Sequence, residues 1–219
     1  MSAAPFPDPH PPRPDVPCPQ EAPAWLDTLA AARWSPYVYT DGPVDDATLQ
    51  ALFSAAVLAP SAANEQPWRF VVGRKGEETY DRILGVLTEP NQAWAQYAPV
   101  LGLAFYSTVR AANGTPLHTA RRDTGAAMLL LALAATSRGL QLHQMAGFDP
   151  VAARMAFAVP EHIDADVAFA LGAPGDTPPP DFPEHFATRD AARRGRHPLA
   201  DVLFGGAWEE ALLEGDAGK

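Results

Sequence analysis

The sequence predicts an α+β domain, and three observations carry that reading. Strand-like and helix-like segments alternate along the chain without the regular strand–helix–strand repeat of a dinucleotide-binding fold. Neither Gly-x-Gly-x-x-Gly nor a phosphate loop ending in Gly-Lys-Ser/Thr is present. One segment, Pro99 to Ser107 (PVLGLAFYS), is apolar on both faces, as a central strand covered on both sides must be. The length, 219 residues with 47% hydrophobic and 19% charged residues, suits a single core.

The elements follow from local pattern. Nine prolines fall between Pro5 and Pro23, with almost no large apolar residues among them. Residues 1–23 therefore cannot bury enough surface to offset their ordering entropy and are expected to form an extended or disordered arm, a ligand for a proline-recognising domain being the functional alternative. The single folded domain, residues 24–219, opens with a short helix over Trp25, Leu26, Leu29 and Arg33. Asp45 or Asp46 can cap a second helix with Leu49, Leu52, Phe53 and Ala56 on one face, ended by Pro60. Trp68 to Val72 reads as a buried strand stopped by Gly73. Glu77 to Leu87 is helical on the stripe Tyr80, Ile83, Leu84 and Leu87, and a short helix surrounds Trp94. The longest helix spans Thr119 to Ser137, with Gly139 as its stop. Its middle, AAMLLLALAA, is apolar almost all the way round, so it must be covered inside a core or in a dimer interface, and for a chain this small a dimer is favoured. Leu140 to Met145 is the third strand, Asp149 to Phe157 a helix, and Val167 to Leu171 the fourth strand. Ala173 to Pro198 reads as a long loop, rich in proline at its start and in arginine at its end.

Composition narrows the function. A formal net charge of −10 argues against a general nucleic-acid or anionic-membrane binder. Cys18 is the single cysteine, which excludes an internal disulfide and a cysteine-built metal site. The longest apolar stretch, Gly125 to Ala135, falls short of the roughly 20 residues that span a bilayer. The first residues lack the basic and apolar pattern of a signal segment, so the protein is expected to be soluble and cytoplasmic. Fourteen of the sixteen basic residues are arginines, Lys75 and Lys219 being the exceptions. That bias reflects either a GC-rich genome or two-pronged recognition of phosphate and carboxylate. Arg193, Arg194 and Arg196 form either a solvated charge run or a local anion site. The six histidines form no triad: His10 lies in the arm, His162 and His185 are assigned to the surface, and His197 adjoins Arg196. His118 and His143 are read as structural rather than pocket-lining.

The most specific segment runs from Ala59 through Pro60, Ser61, Ala62, Ala63, Asn64, Glu65, Gln66 and Pro67 to Trp68, Arg69 and Phe70. Small residues there let backbone approach a flat ligand, and Ser61 and Asn64 offer polar groups to a heterocycle's edge. Alone, the same residues make a capped helix-to-strand turn. The segment closely resembles the Ala-Pro-Ser-x-x-Asn-x-Gln-Pro-Trp-x-Phe signature of the nitroreductase family of FMN-dependent NAD(P)H oxidoreductases. Other landmarks follow in that family's order: Arg33-Trp34-Ser35-Pro36-Tyr37, Asp123-Thr124-Gly125-Ala126, Gly139-Leu140, Met145-Ala146-Gly147-Phe148-Asp149, Ala170-Leu171-Gly172, and Arg194 and Arg196 before Pro198-Leu199. The resemblance covers roughly Ala24 to Leu203.

The resemblance implies a three-layer α-β-α sandwich with a mixed, mostly antiparallel central sheet, assembled as an intertwined homodimer with FMN at the subunit interface. It implies that Arg33, Arg194 and Arg196, with the Ser35 hydroxyl, meet the phosphate and ribityl end, and that Trp34 and Tyr37 belong to the same contact segment. Pro60, Ser61 and Asn64 would meet the ring from the second subunit. The backbone N–H groups of Ala146 and Gly147 would face the flavin N5 and O4 edge. The implied chemistry passes hydride from NADH or NADPH through flavin N5 to a flat electron-poor acceptor, a nitroaromatic or quinone, and calls for no catalytic side chain and no metal. Trp34 replaces a frequent second arginine, core packing being its simpler role. Tyr37 replaces a cation near the flavin N1 and O2 edge, which would lower the reduction potential or move that duty elsewhere, and its hydroxyl could still donate a hydrogen bond. Two alternatives stay open. One is a specialised enzyme of this fold, dehalogenase-like or flavin-modifying, with Glu89 to Tyr97 as its lid. The other is a non-catalytic flavin-binding or partner-binding dimer.

Overall fold

The computed structural model describes residues 29–192, 195–210 and 212. The proline-rich arm, most of the expected first helix and Arg194 lie outside the described residues.

Helix α1, Asp46–Ala56, begins where sequence places it: Asp45 has extended backbone and its carboxylate accepts the Thr48 N–H. Strand β1, Trp68–Arg74, is followed by α2, Glu78–Val86, α3, Glu89–Ala95, and β2, Val100–Ser107. Helix α4, Ala120–Thr136, leads to β3, Gln141–Met145. Then come α5, Pro150–Ala156, capped by the Asp149 carboxylate on two N–H groups, and β4, Ile163–Gly172. Helix α6, Glu184–Ala191, closes the regular part.

The strands form one sheet in the order β1-β2-β4-β3, and every pairing among them is antiparallel. The expectation of a mixed sheet is thus met only in its antiparallel part among the described residues. β2 is central, as its double apolar face requires. Leu101, Leu103 and Phe105 point into a core with α2, α3, α5 and α6, while Val100 and Ala104 join α1 and α4 on the other side. That alternation makes three layers, α1 and α4 on one face of the sheet and the remaining helices on the other.

Four expectations change. Gly73 does not end β1; the strand continues to Arg74, and a Cβ on Gly73 would lie 2.3 Å from the Tyr80 backbone nitrogen, so the residue allows α2 to approach the strand. β4 starts at Ile163 rather than Val167. Its polar start is stabilised from a distance, since Asp164 pairs with Arg154 and Asp166 with Arg121. The stretch after Ala173 is not one loop: α6 forms there because Phe186 and Asp190, four apart, face inward together. Finally, Glu89 to Tyr97 is no lid, because Trp94 and Ala95 are fully buried in the core.

Helix α4 crosses the sheet face and buries Ala127, Met128, Leu131, Ala132 and Ala135. The described residues leave its outer side uncovered, with Leu129 52% exposed, and just past α1 Leu58 is 78% exposed. No helix among the described residues is long and apolar enough to cross a membrane.

Candidate functional site

The Arg33 to Tyr37 segment lies along β3. The Trp34 N–H donates to Gln141 Oε1 at 3.1 Å, and His143 Nδ1 lies 2.8 Å from the Pro36 carbonyl oxygen. From the other side, Asp190 of α6 accepts the N–H groups of both Tyr37 and Val38 through one carboxylate oxygen. Asp190 is 94% buried, so these bonds form away from water, where each is stronger. Arg33 and Trp34 are half-buried and Ser35 is exposed. The Tyr37 ring stacks on Phe186 at 5.0 Å and meets Trp94 and His143 edge-on at 5.0 and 4.6 Å. Tyr37, Phe186, Trp94 and His143 thus form one aromatic cluster, in which His143 is also tied to the Pro36 backbone. The same environment acts on Tyr39, whose hydroxyl is pushed well up by burial and then by the Asp190 charge.

Ala146 and Gly147 follow directly on β3. The Gly147 carbonyl accepts three bonds, from the Thr88 N–H at 3.0 Å, Thr88 Oγ1 at 3.0 Å and Asn91 Nδ2 at 2.9 Å. A Cβ on Gly147 would sit 2.6 Å from Asn91 Nδ2 and 2.8 Å from Thr88 Oγ1. A side chain here would displace the Thr88 and Asn91 groups that bond the Gly147 carbonyl, and those bonds fix the turn with its carbonyl directed at α3.

The Pro60 to Asn64 segment lies elsewhere. It forms the turn between α1 and β1, with a single 3₁₀ turn over Ala62–Asn64. Ser61 Oγ accepts the Gln66 N–H at 3.0 Å, and Pro60 and Asn64 are exposed. Ala63, Asn64 and Gln66 adopt φ of 52°, 57° and 46°, a left-handed backbone that needs external support in residues other than glycine. Asp123 supplies it: 3% exposed at the start of α4, it accepts the Ala62 N–H at 3.0 Å and pairs with Arg122 at 2.9 Å. Burial pushes its carboxyl up, but the hydrogen bonds from the Ala62 N–H and the Arg122 guanidinium outweigh that and hold it below the ordinary value. Glu65 adds a second tie, to Arg110 at 3.1 Å and the Ala111 N–H at 3.3 Å.

The expected site residues thus fall into two groups. Arg33, Trp34, Ser35, Tyr37, Ala146 and Gly147 share the β3 edge. Pro60, Ser61 and Asn64 stand beside β1, the opposite edge. Three strand spacings separate those edges, about 14 Å. Arg196 is exposed beyond α6, its Nη1 3.3 Å from the Gly195 carbonyl oxygen, and Arg194 is not described. Sequence reading missed Asp190, Thr88 and Asn91, which hold the backbone of the two segments in place. Asp190 leaves a weak signal in its spacing from Phe186; the other two leave none.

The Nitroreductase family model matches residues 30–96. A Burkholderia lata protein assigned as an NADH dehydrogenase/NAD(P)H nitroreductase is 30% identical over 165 residues, which are 67% of this chain and 84% of the relative. A Rhodopseudomonas palustris protein of the same assignment is 32% identical over 145 residues, 58% of this chain and 74% of the relative. A crystal structure described as an oxidoreductase containing FMN superposes with a TM-score of 0.78 at 33% identity, covering 86% of this chain and 94% of that one. A Desulfovibrio desulfuricans protein assigned as a nitroreductase, in complex with FMN, has a TM-score of 0.67 over 86% of this chain and 99% of that one; at 23% identity it attests the fold. Matched over most of these relatives' length and sharing their fold, the chain belongs to the nitroreductase family.

Proposed function

We propose that the protein is an FMN-dependent oxidoreductase that works as a homodimer, taking hydride from NADH or NADPH and delivering it to a flat electron-poor acceptor such as a nitroaromatic or quinone. The observation that carries this reading is the division of the site residues between opposite edges of one sheet, together with the uncovered apolar side of α4. Two copies joined through that side would set the Ser61 turn of one against the β3 edge of the other. FMN in the two structural relatives supports the cofactor.

The residues present suit such a ligand. Gly147 lets its turn pack against Thr88 and Asn91, which fixes the backbone that would face the ring. Arg33 and Arg196, with Arg194, would bind the phosphate as two-pronged donors, and Ser35 would add a hydroxyl. Backbone N–H groups of Ala146 and Gly147 would lie at the polar edge of the ring, and Pro60, Ser61 and Asn64 of the second copy would close over it. Trp34 and Tyr37 pack and orient the segment that carries Arg33. Bound FMN would supply the two-electron chemistry, so these residues need only bind, orient and exclude water.

One observation favours a second reading, a flavin-binding dimer without turnover. Tyr37 stands where the resemblance expects a cation, and its ring is occupied by Phe186, Trp94 and His143. The test is the visible spectrum of the purified protein. Flavin bands that NADH or NADPH bleaches rapidly support the enzyme. Bands that persist support the second reading, and no bands even after FMN is added refute both.

A further inference from the structure

A cleft of about 710 Å³ opens on the α2 and α5 face of the sheet, beyond the Trp68 end of β1. Its floor is apolar, formed by Val71, Phe105 and Ile163 with Phe157 as one wall, and its size falls in the range of small-molecule sites. Arg69 stands at its rim. The Nη1 of that guanidinium donates to the Trp68 carbonyl at 2.6 Å and the Gln66 carbonyl at 3.0 Å, two neutral acceptors. Among the described residues no carboxylate forms an ion pair with Arg69, in a chain whose net charge is −10. The neighbouring Arg110 differs, because Glu65 neutralises it at 3.1 Å.

We propose that this cleft binds a small organic carboxylate with a flat or branched apolar body, the carboxylate received by Arg69. Charge and shape both point that way. Arg69 and the Arg110–Glu65 pair leave one permanent positive charge, which matches a single negative one, and His162 is the other titratable group of the lining. The remaining N–H groups of Arg69 form a fork that fits two carboxylate oxygens. The two carbonyl bonds hold that fork in place before a ligand arrives, so little side-chain entropy is lost on binding. A cation is repelled there, and a neutral analogue of the same shape leaves the guanidinium without its counter-charge. The inference does not rest on the flavin assignment, since none of the residues proposed to hold FMN lines the cleft.

Titration calorimetry of the purified full-length protein in phosphate-free buffer tests it, with benzoate as probe and benzamide and benzylamine as controls. Benzoate is expected to bind once per chain, with benzamide weaker by about tenfold or more and benzylamine silent. Arg69→Gln should weaken benzoate by about tenfold or more, and Arg69→Lys should recover part of the loss. Because Arg69 also secures a turn, Ala111→Glu provides a second variant. It sets a negative charge on an exposed rim residue, and it should abolish benzoate binding without altering the circular dichroism spectrum. Absent benzoate binding overturns the proposal, as does equal affinity for benzamide or unchanged affinity in both Arg69→Gln and Ala111→Glu. A protein that binds benzoate but no flavin refutes the flavin reading and leaves this one standing; a flavin-loaded protein that ignores benzoate does the reverse.

Discussion

Replacing Asp123 by alanine removes the support of the turn between α1 and β1. The carboxylate accepts the Ala62 N–H at 3.0 Å and the Arg122 guanidinium at 3.0 and 2.9 Å, and only 3% of the residue is exposed. The Arg122 side chain is 73% exposed, so its share is screened and small. The bond to Ala62 is the larger loss, about 1.5–3 kcal/mol for a charge-assisted hydrogen bond whose donor is left unpaired. At about 2–4 °C per kcal/mol for a chain of this size, the melting temperature should fall by roughly 3–12 °C at neutral pH. The effect depends on pH with a definite sign. The carboxyl is held below its ordinary value of 3.8 in the folded chain, so its stabilisation is complete above that value and is lost as pH falls through the lower folded one. Thermal unfolding followed by circular dichroism, for wild type and Asp123→Ala across pH, measures both. A neutral-pH difference below about 2 °C would refute the reasoning. So would a difference that persists undiminished at the acid limit of folding.

Asp190→Ala should weaken FMN binding by about tenfold or more while leaving riboflavin, which lacks the phosphate, nearly unchanged, because Asp190 positions the segment carrying Arg33 through the Tyr37 and Val38 N–H groups. Fluorescence titration of both flavins checks this, and Asp190→Asn, which keeps an acceptor oxygen, should restore much of the FMN preference. Gly147→Ala forces a methyl within 2.6 Å of Asn91 and 2.8 Å of Thr88, and calorimetric unfolding should register about 1–3 kcal/mol of destabilisation. Leu129→Glu places a charge on the apolar side of α4, and sedimentation velocity should show monomers that have lost their flavin; a flavin-loaded dimer would contradict the proposed interface.

What sequence reveals and what it hides divides along the distance over which each feature is determined. The Asp45 cap is visible because donor and acceptor lie within three residues, and the Asp149 cap, equally local, reads as the first residue of its helix. β2 is visible because its own residues are apolar on both faces. The start of β4 is hidden because Asp164 and Asp166 argue against a strand until Arg154 and Arg121 are brought to them. Helix α6 is hidden behind prolines, its buried side reduced to Phe186 and Asp190. The same holds for the site. Ser61, Asn64 and Gly147 are legible as small and polar residues in turns. That they stand at opposite edges is not, since the order β1-β2-β4-β3 is set by pairings between strands remote in sequence. Asp190 and Asp123 act on backbone N–H groups far along the chain, at separations of 153 and 61 residues, which no local pattern records.

The separation of the two groups across the sheet has a genetic consequence. Under the proposed pairing, a lesion in the Ser61 turn and a lesion at Arg33 damage different halves of every site. A mixed pair formed from one chain of each kind gathers both lesions into one site and leaves the other whole. Two alleles that are each inactive alone would therefore complement when expressed together, whereas two alleles with lesions on the same edge would not.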